Sequence, residues 1–251
     1  MKIVLTFDIE RDIPGVFNSY LGVNNGLLRI LEILEKYNVK GTFFCTGDIA
    51  EHLPNCVKLI EKKGHEIACH GLNHERLNLL SYNACYQLIS QSKILLENLC
   101  QHTEVIGFRA PFLKPPSFLF KVLGDLGFKY DSSISSPKNL KNYQNSSLDL
   151  YEFYPINYGL IFRSPFNIKL SVKKLFNKDL GVLYFHAWEA IDMKSLILRY
   201  NQLYTRYRNL FFRPDRWFNT GAKFLSKLNL FVEKALSDNV KFVALKELIN
   251  N

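Results

Sequence analysis

The chain has 251 residues and a formal net charge of +9, and its length suits one large α/β domain or two small ones. With 47% hydrophobic and 22% charged residues, the composition excludes disordered and collagen-like proteins. No apolar run approaches the roughly 20 residues of a membrane span, and Asp8 comes too early for the apolar core of a signal peptide.

The first half of the chain alternates between β-rich apolar segments and segments with helical periodicity. A buried strand, rich in β-branched residues, is predicted at 2–8, and the pattern then changes to a helix at 26–37. Further strands are predicted at 40–47 and 65–70, and a helix at 48–63 lies between them.

The second half continues the alternation around one irregular stretch. Helices are predicted at 81–100, 116–126, 193–211 and 221–237, and strands at 105–109, 130–133, 181–186 and 241–245. Residues 137–180 are rich in Asn and Ser at their start and indicate a variable surface insertion, with a hairpin or short strands at 151–163. With no repeat and no long linker, residues 1–251 are interpreted as a single domain.

Strands that alternate with helices over short connections predict a parallel sheet or an α/β barrel. Catalytic groups then lie at the carboxyl ends of the strands. Five polar residues fall at predicted strand ends: Asp8, His70, Arg109, Asp131 and His186. This coincidence is the strongest indication within the sequence of one active site.

Two histidines and two acids are candidates for a metal site. His70 and His74 are four residues apart, and a carboxylate from Asp8 or Glu10 would complete a two-histidine, one-carboxylate set. Such a set leaves coordination positions free for water and substrate. Asp8 and Glu10 share a strand face, so one can bind the metal while the other accepts a proton.

Arg109 and His186 are candidates for the supporting chemistry. Arg109 can form a bidentate pair with a carboxylate and keep it ionised. His186 leaves an apolar strand; it is either a satisfied core residue or a general acid that a hydrogen bond to Asp131 keeps protonated. Trp188 is then either a wall for sugar stacking or part of the core.

Five motifs in order resemble the polysaccharide deacetylases, the NodB-homology domain of carbohydrate esterase family 4, over nearly the whole chain. They are Thr6-Phe7-Asp8-Ile9-Glu10, His70-Gly71-Leu72-Asn73-His74, Arg109-Ala110-Pro111-Phe112, Tyr130-Asp131-Ser132-Ser133 and Phe185-His186-Ala187-Trp188-Glu189. The resemblance implies a distorted (β/α)7-type barrel, the NodB or glycoside hydrolase–deacetylase fold. It also implies metal-dependent removal of an N-acetyl group from an amino sugar.

The resemblance also assigns roles to the candidate residues. Asp8 matches the catalytic base, Arg109 the arginine that holds it, Asp131 the residue that tunes the acid, and His186 the acid. His70 and His74 match the metal histidines of the family. The usual second aspartate is replaced by Ile9, so the resemblance gives the acidic ligand role to Glu10, with Asp8 as the alternative ligand.

The expected cofactor is a divalent metal, most simply Zn²⁺, and the expected partner is an N-acylated amino sugar in a polysaccharide, an oligosaccharide or a lipid-linked glycan. Three alternatives stay open: a deformylase of lipid-linked amino sugars, a non-catalytic glycan-binding relative, and the metal-free branch that opens cyclic amides. Ile9 supports the second alternative, and the intact histidine pair argues against the third.

A basic window lies near the C-terminus. Between Lys169 and Arg216, ten Lys or Arg stand against four Asp or Glu, a net charge of +6. Its Tyr- and Arg-rich part, 197–213, is interpreted as a core-facing helix with a basic edge, or as a helix that binds an anionic membrane surface. Nucleic acid is not an expected partner.

The five scattered cysteines, with no Cys-x-x-Cys pair, agree with a cytoplasmic protein. Under the membrane interpretation of 197–213, the protein is expected to be peripheral to the membrane.

Overall fold

The computed structural model describes residues 1–14, 16–136, 150–157, 179–201 and 213–249. Most of the predicted insertion at 137–180 lies outside these ranges, as does most of the basic segment at 197–213. Within the described ranges, no helix has the length and apolar character that crossing a membrane requires.

A single, wholly parallel sheet forms the centre of the fold. Its strands within the described residues are β1 (Lys2–Ile9), β2 (Thr42–Cys45), β3 (Glu66–Cys69), β4 (Gly107–Phe108), β5 (Tyr130–Asp131), β6 (Tyr151–Glu152), β7 (Pro155–Asn157), β8 (Leu180–His186) and β9 (Lys241–Phe242). Their order is β6-β5-β4-β3-β2-β1-β8-β7, and β9 pairs with the start of β1. The carboxyl ends of these strands therefore meet at one edge.

The helices connect these strands. Their bounds are α1 (Leu27–Lys36), α2 (Gly47–His52), α3 (Pro54–Lys62), α4 (Tyr82–Glu97), α5 (Leu119–Asp125), α6 (Met193–Asn201) and α7 (Ala222–Ser237). The single helix predicted at 48–63 is wrong, because Leu53 leaves the helical region (φ −131°) and Pro54 begins a new helix. Proline suits the first turn of a helix, where its missing N–H would have no partner.

Alternation along β1 separates the core from the barrel interior. Ile3, Leu5, Phe7 and Ile9 are fully buried in the core between the sheet and its helices. The Phe7 ring lies 5.0 Å from Phe43 of β2 and 5.6 Å from Phe185 of β8. Because successive strand residues point to opposite faces, Asp8 faces the barrel interior.

Residues 150–157, the described part of the segment after residue 150, contain two short strands that do not pair with each other. β6 pairs with β5 and β7 pairs with β8, both in parallel, so the two strands stand at opposite ends of the sheet order. The hairpin alternative for 151–163 is therefore wrong for the described part of that segment, and the short strands are confirmed. The predicted barrel of parallel strands with helices outside is confirmed.

His65, just before β3, is a buried neutral imidazole. Its side chain is 2% exposed, and its Nδ1 accepts a hydrogen bond from the Gly41 backbone N–H at 3.3 Å. Burial, aided by the positive charges of Lys40 and Lys63, lowers the pKa of His65 to about 4. A histidine in the unfolded chain titrates near 6.5, so the unfolded state takes up a proton first as the pH falls.

We expect the free energy of unfolding to decrease as the pH is lowered, because His65 takes up a proton more readily in the unfolded chain. The contribution is complete above about pH 6.5 and is lost as the pH falls toward 4, which amounts to about 2 kcal/mol between pH 7 and 5. Urea unfolding at the two pH values should show this loss in the wild type and a smaller one in His65→Gln. His102→Gln, at an exposed position, serves as the control. Equal losses in the wild type and His65→Gln would contradict the prediction.

Candidate active site

The carboxylates of Asp8 and Glu10 lie at the C-terminal end of β1 and face the barrel interior. Asp8 is 4% exposed and Glu10 3% exposed, whereas Ile9 between them lies in the hydrophobic core. In register, Asp8 is paired with His186 of β8 on one side and Phe44 of β2 on the other. Strand alternation thus keeps both acids in the barrel although an apolar residue separates them.

Glu10 meets two imidazoles from the loop after β3. Its Oε2 lies 2.7 Å from His74 Nε2 and 3.4 Å from His70 Nε2. His74 reaches this place with a left-handed backbone (φ 61°), a conformation that is uncommon for residues other than glycine. The predicted set of Glu10, His70 and His74 is brought together.

The donor atoms of this set suit a divalent cation. One atom from each residue lies within 4.8 Å of the others. His70 Nδ1 contacts the Arg109 carbonyl oxygen at 2.8 Å, and because a carbonyl only accepts, Nδ1 carries the proton and Nε2 keeps its lone pair. Glu10 Oε2 is buried and faces the Nε2 atoms of both histidines, as a ligand atom that shares a cation with them would. One carboxylate and two imidazoles are a usual donor set for zinc.

The charge of Glu10 is stabilised by the same neighbours. Burial acts to raise the pKa of this carboxyl, but interaction with His74 and His70 outweighs it and holds the pKa of Glu10 well below its usual range. Glu10 is therefore ionised at neutral pH and available as an anionic ligand.

Arg109 holds the other carboxylate. Its Nη1 donates to Asp8 Oδ1 at 2.7 Å, and its remaining nitrogens donate to the carbonyl and the hydroxyl of Ser132 at 3.1 and 3.0 Å. The fully buried guanidinium also lies over the Phe44 ring, 4.0 Å from its centroid. Arg109 and Asp8 pair through this one hydrogen bond, so the predicted bidentate geometry is wrong because the other guanidinium nitrogens are engaged with Ser132, and Asp8 Oδ2 is left facing the histidines.

His186 approaches the two acids from β8. Its Nε2 is 4.0 Å from Asp8 Oδ2 and 3.9 Å from Glu10 Oε1. Its ring stacks on Trp188 with 4.8 Å between centroids, and Trp188 is 1% exposed. Trp188 therefore packs beneath the histidine, and the alternative of a sugar-stacking wall is wrong.

The predicted hydrogen bond between Asp131 and His186 is wrong. Asp131 instead accepts from the Ser133 hydroxyl at 2.6 Å and lies beside Glu152 of β6. Burial raises the pKa of both carboxyls, and repulsion from Asp131 raises that of Glu152 further, so the pair holds a proton between them. Ser133 in turn accepts from the Ala110 N–H, so Asp131 supports the segment that carries Arg109.

The partner of His186 is Glu189, which our sequence analysis did not assign. His186 Nδ1 lies 3.0 Å from Glu189 Oε1, and Glu189 is fully buried. The available signal was an acid three residues after the histidine, a spacing that brings two side chains together in a helical turn. The predicted strand gave no indication that such a turn begins at its end.

Comparisons with known proteins identify the relatives of this chain. A family model described as "Polysaccharide deacetylase" matches residues 1–130. The chain is 34% identical over 88 residues to the peptidoglycan-N-acetylglucosamine deacetylase of Bacillus cereus, covering 35% of this chain and 30% of that protein. It is 28% identical over 147 residues to the peptidoglycan deacetylase of Helicobacter pylori, covering 53% and 50%. The chain thus spans about a third to a half of these curated relatives.

A solved structure extends the similarity to the whole fold. It belongs to a Mycobacterium smegmatis protein provisionally described as a polysaccharide deacetylase, with a TM-score of 0.69 and 20% identity. The match covers 99% of this chain and 88% of that one. At this level of identity the likeness supports the fold.

Proposed function

Because this chain belongs to the polysaccharide deacetylase family, we propose that it is a metal-dependent hydrolase that removes an N-acetyl group from an amino sugar in a polysaccharide, an oligosaccharide or a lipid-linked glycan. The observation that carries the proposal is that a possible metal site and a set of acid–base residues meet at one edge of the sheet. A Glu–His–His set lies beside a carboxylate that Arg109 holds, and His186 faces both. Residues 1–251 are proposed to act as a single domain.

The metal would be held by Glu10, His70 and His74. When bound, a divalent metal polarises the amide carbonyl and makes water a better nucleophile. Zinc is the metal that the donor set favours, and its identity stays a prediction, as does a cytoplasmic location.

Asp8 is the proposed base. Arg109 holds its Oδ1, and its Oδ2 accepts the proton as the water oxygen attacks the acyl carbon. His186 Nε2 donates a proton to the sugar nitrogen, the C–N bond breaks, and acetate and a free amine leave. The Phe112 N–H, next to Pro111, is the proposed donor to the developing oxyanion.

The interior position of Glu10 weakens the case for a non-catalytic relative. Ile9 was the reason for that alternative, and Ile9 packs in the core while Glu10 faces the two histidines. The deformylase alternative shares the same site and differs in the acyl group, so the product distinguishes it.

We expect acetate release from N-acetylglucosamine oligomers, with loss on chelation and recovery on adding zinc. Acetate and formate would be measured with purified protein, and the metal content of the same samples determined. Since the three ligands are the protein's contribution to the metal site, chelation should remove the activity almost completely. Formate release alone would favour the deformylase, and neither product from metal-loaded protein on any donor would contradict the proposal.

A further inference from the structure

Glu189 makes two contacts to the residue that we propose as the general acid. Its Oε1 accepts from the His186 backbone N–H at 3.1 Å and lies 3.0 Å from His186 Nδ1. Glu189 is fully buried, and the His186 side chain is 15% exposed. One carboxylate oxygen therefore fixes both the backbone and the ring of His186.

The fold produces this contact at the end of β8. The strand passes directly into a 3-10 turn, Ala187–Ala190, in which His186 is the capping residue and Glu189 the third residue. Trp188 lies against the face of the imidazole, so the ring is held in its plane as well as at one nitrogen. The ring is oriented before any substrate arrives.

The chemistry of the contact fixes which nitrogen reacts. An ionised carboxylate only accepts hydrogen bonds, so the proton of the neutral ring must be on Nδ1. The other nitrogen, Nε2, is the one that faces Asp8 and Glu10. Protonation at Nε2 then creates an imidazolium whose charge the Glu189 carboxylate balances.

We propose that Glu189 is the positioning residue of His186 in this protein, and that it sets the tautomer and stabilises the imidazolium that donates to the sugar nitrogen. The inference rests on the proposed function. It gives Glu189 the part that the family resemblance assigned to Asp131, whose carboxylate is engaged with Ser133 and Glu152.

The competing explanation is that Glu189 only caps a short turn. The chain provides a matched case: Glu247 is the third residue of the 3-10 turn Leu245–Leu248, and its Oε1 accepts from the Ala244 N–H at 2.8 Å. The residue at that cap is an alanine, so no ring is positioned. Glu189→Gln keeps an oxygen that can accept from the backbone, yet it removes the charge.

The test compares Glu189→Gln with Glu247→Gln and the wild type, all metal-loaded, on N-acetylglucosamine oligomers. We expect Glu189→Gln to lower kcat by about 100-fold while KM and metal content stay near wild type. Glu247→Gln should match the wild type. Wild-type kcat in Glu189→Gln, or a loss of kcat in parallel with metal, would overturn the proposal.

A second measurement separates this inference from the proposed function. Nitrogen-15 NMR of the His186 ring should show the proton on Nδ1 in the wild type and a mixture of tautomers in Glu189→Ala, which has no oxygen to accept from Nδ1. This signal does not depend on which substrate is hydrolysed, so it decides the positioning role even if the wild type releases no acetate. An unchanged tautomer in Glu189→Ala would refute the role.

Discussion

His70→Ala should abolish metal binding, whereas His186→Ala should keep the metal and lose turnover. His70 Nε2 faces Glu10 at 3.4 Å, and its Nδ1 is fixed by the Arg109 carbonyl, so its removal breaks the ligand set. His186 has its Nδ1 on Glu189, outside the set, so its loss removes a proton donor and costs about 10³-fold in kcat. Metal analysis and initial rates on the same samples check both parts.

The control for this pair is His102→Ala, at an exposed histidine that contacts none of the candidate site residues described above. It should retain both metal and turnover. Equal metal loss in His70→Ala and His186→Ala, or full activity in either, would refute the division of roles.

Arg109→Met should destabilise the protein and remove its activity. The guanidinium is fully buried and donates to Asp8 and twice to Ser132, so its loss leaves the buried carboxylate of Asp8 without its cation. Breaking a buried ion pair on one side costs about 3–5 kcal/mol, and the proposed base would lose the group that holds it in position. Urea unfolding and acetate release measure the two effects.

The matched comparison is Arg11→Met. Arg11 also pairs with a carboxylate, Asp48, but its own side chain is 32% exposed, and Tyr20 remains as a donor to Asp48. Here we expect a loss of about 1 kcal/mol or less. Comparable destabilisation in the two variants would show that burial of Arg109 does not carry the effect.

The sequence predicted the strand ends well because a buried parallel strand is a continuous apolar run that a polar residue terminates. Asp8, His70 and Arg109 can be recognised in this way. Because their strands end at the same edge of the sheet, the pattern also predicts that these side chains lie close together. Ile9 is harder to interpret from the sequence, because an apolar residue in place of the usual aspartate indicates loss of a metal ligand. Strand alternation instead places Ile9 in the hydrophobic core.

The contacts that the sequence did not predict depend on structure at strand ends. Glu189 reaches His186 only because a 3-10 turn follows β8 immediately. Asp131 turns away from His186 because the two-residue strand β6 places Glu152 beside it. Strands of two residues have no periodicity to detect, so this neighbour could not be inferred from the pattern.

The alternation of β1 has a consequence for how this protein can change. Its odd positions pack in the hydrophobic core beneath the helices, and its even positions include Asp8, the proposed base. Deleting one residue between Val4 and Ile9 would exchange the two sets of positions. A charged side chain would then enter the hydrophobic core, and apolar side chains would line the candidate site. New substrate preferences can therefore arise by lengthening or replacing loops, whereas this strand tolerates substitutions but no insertion or deletion.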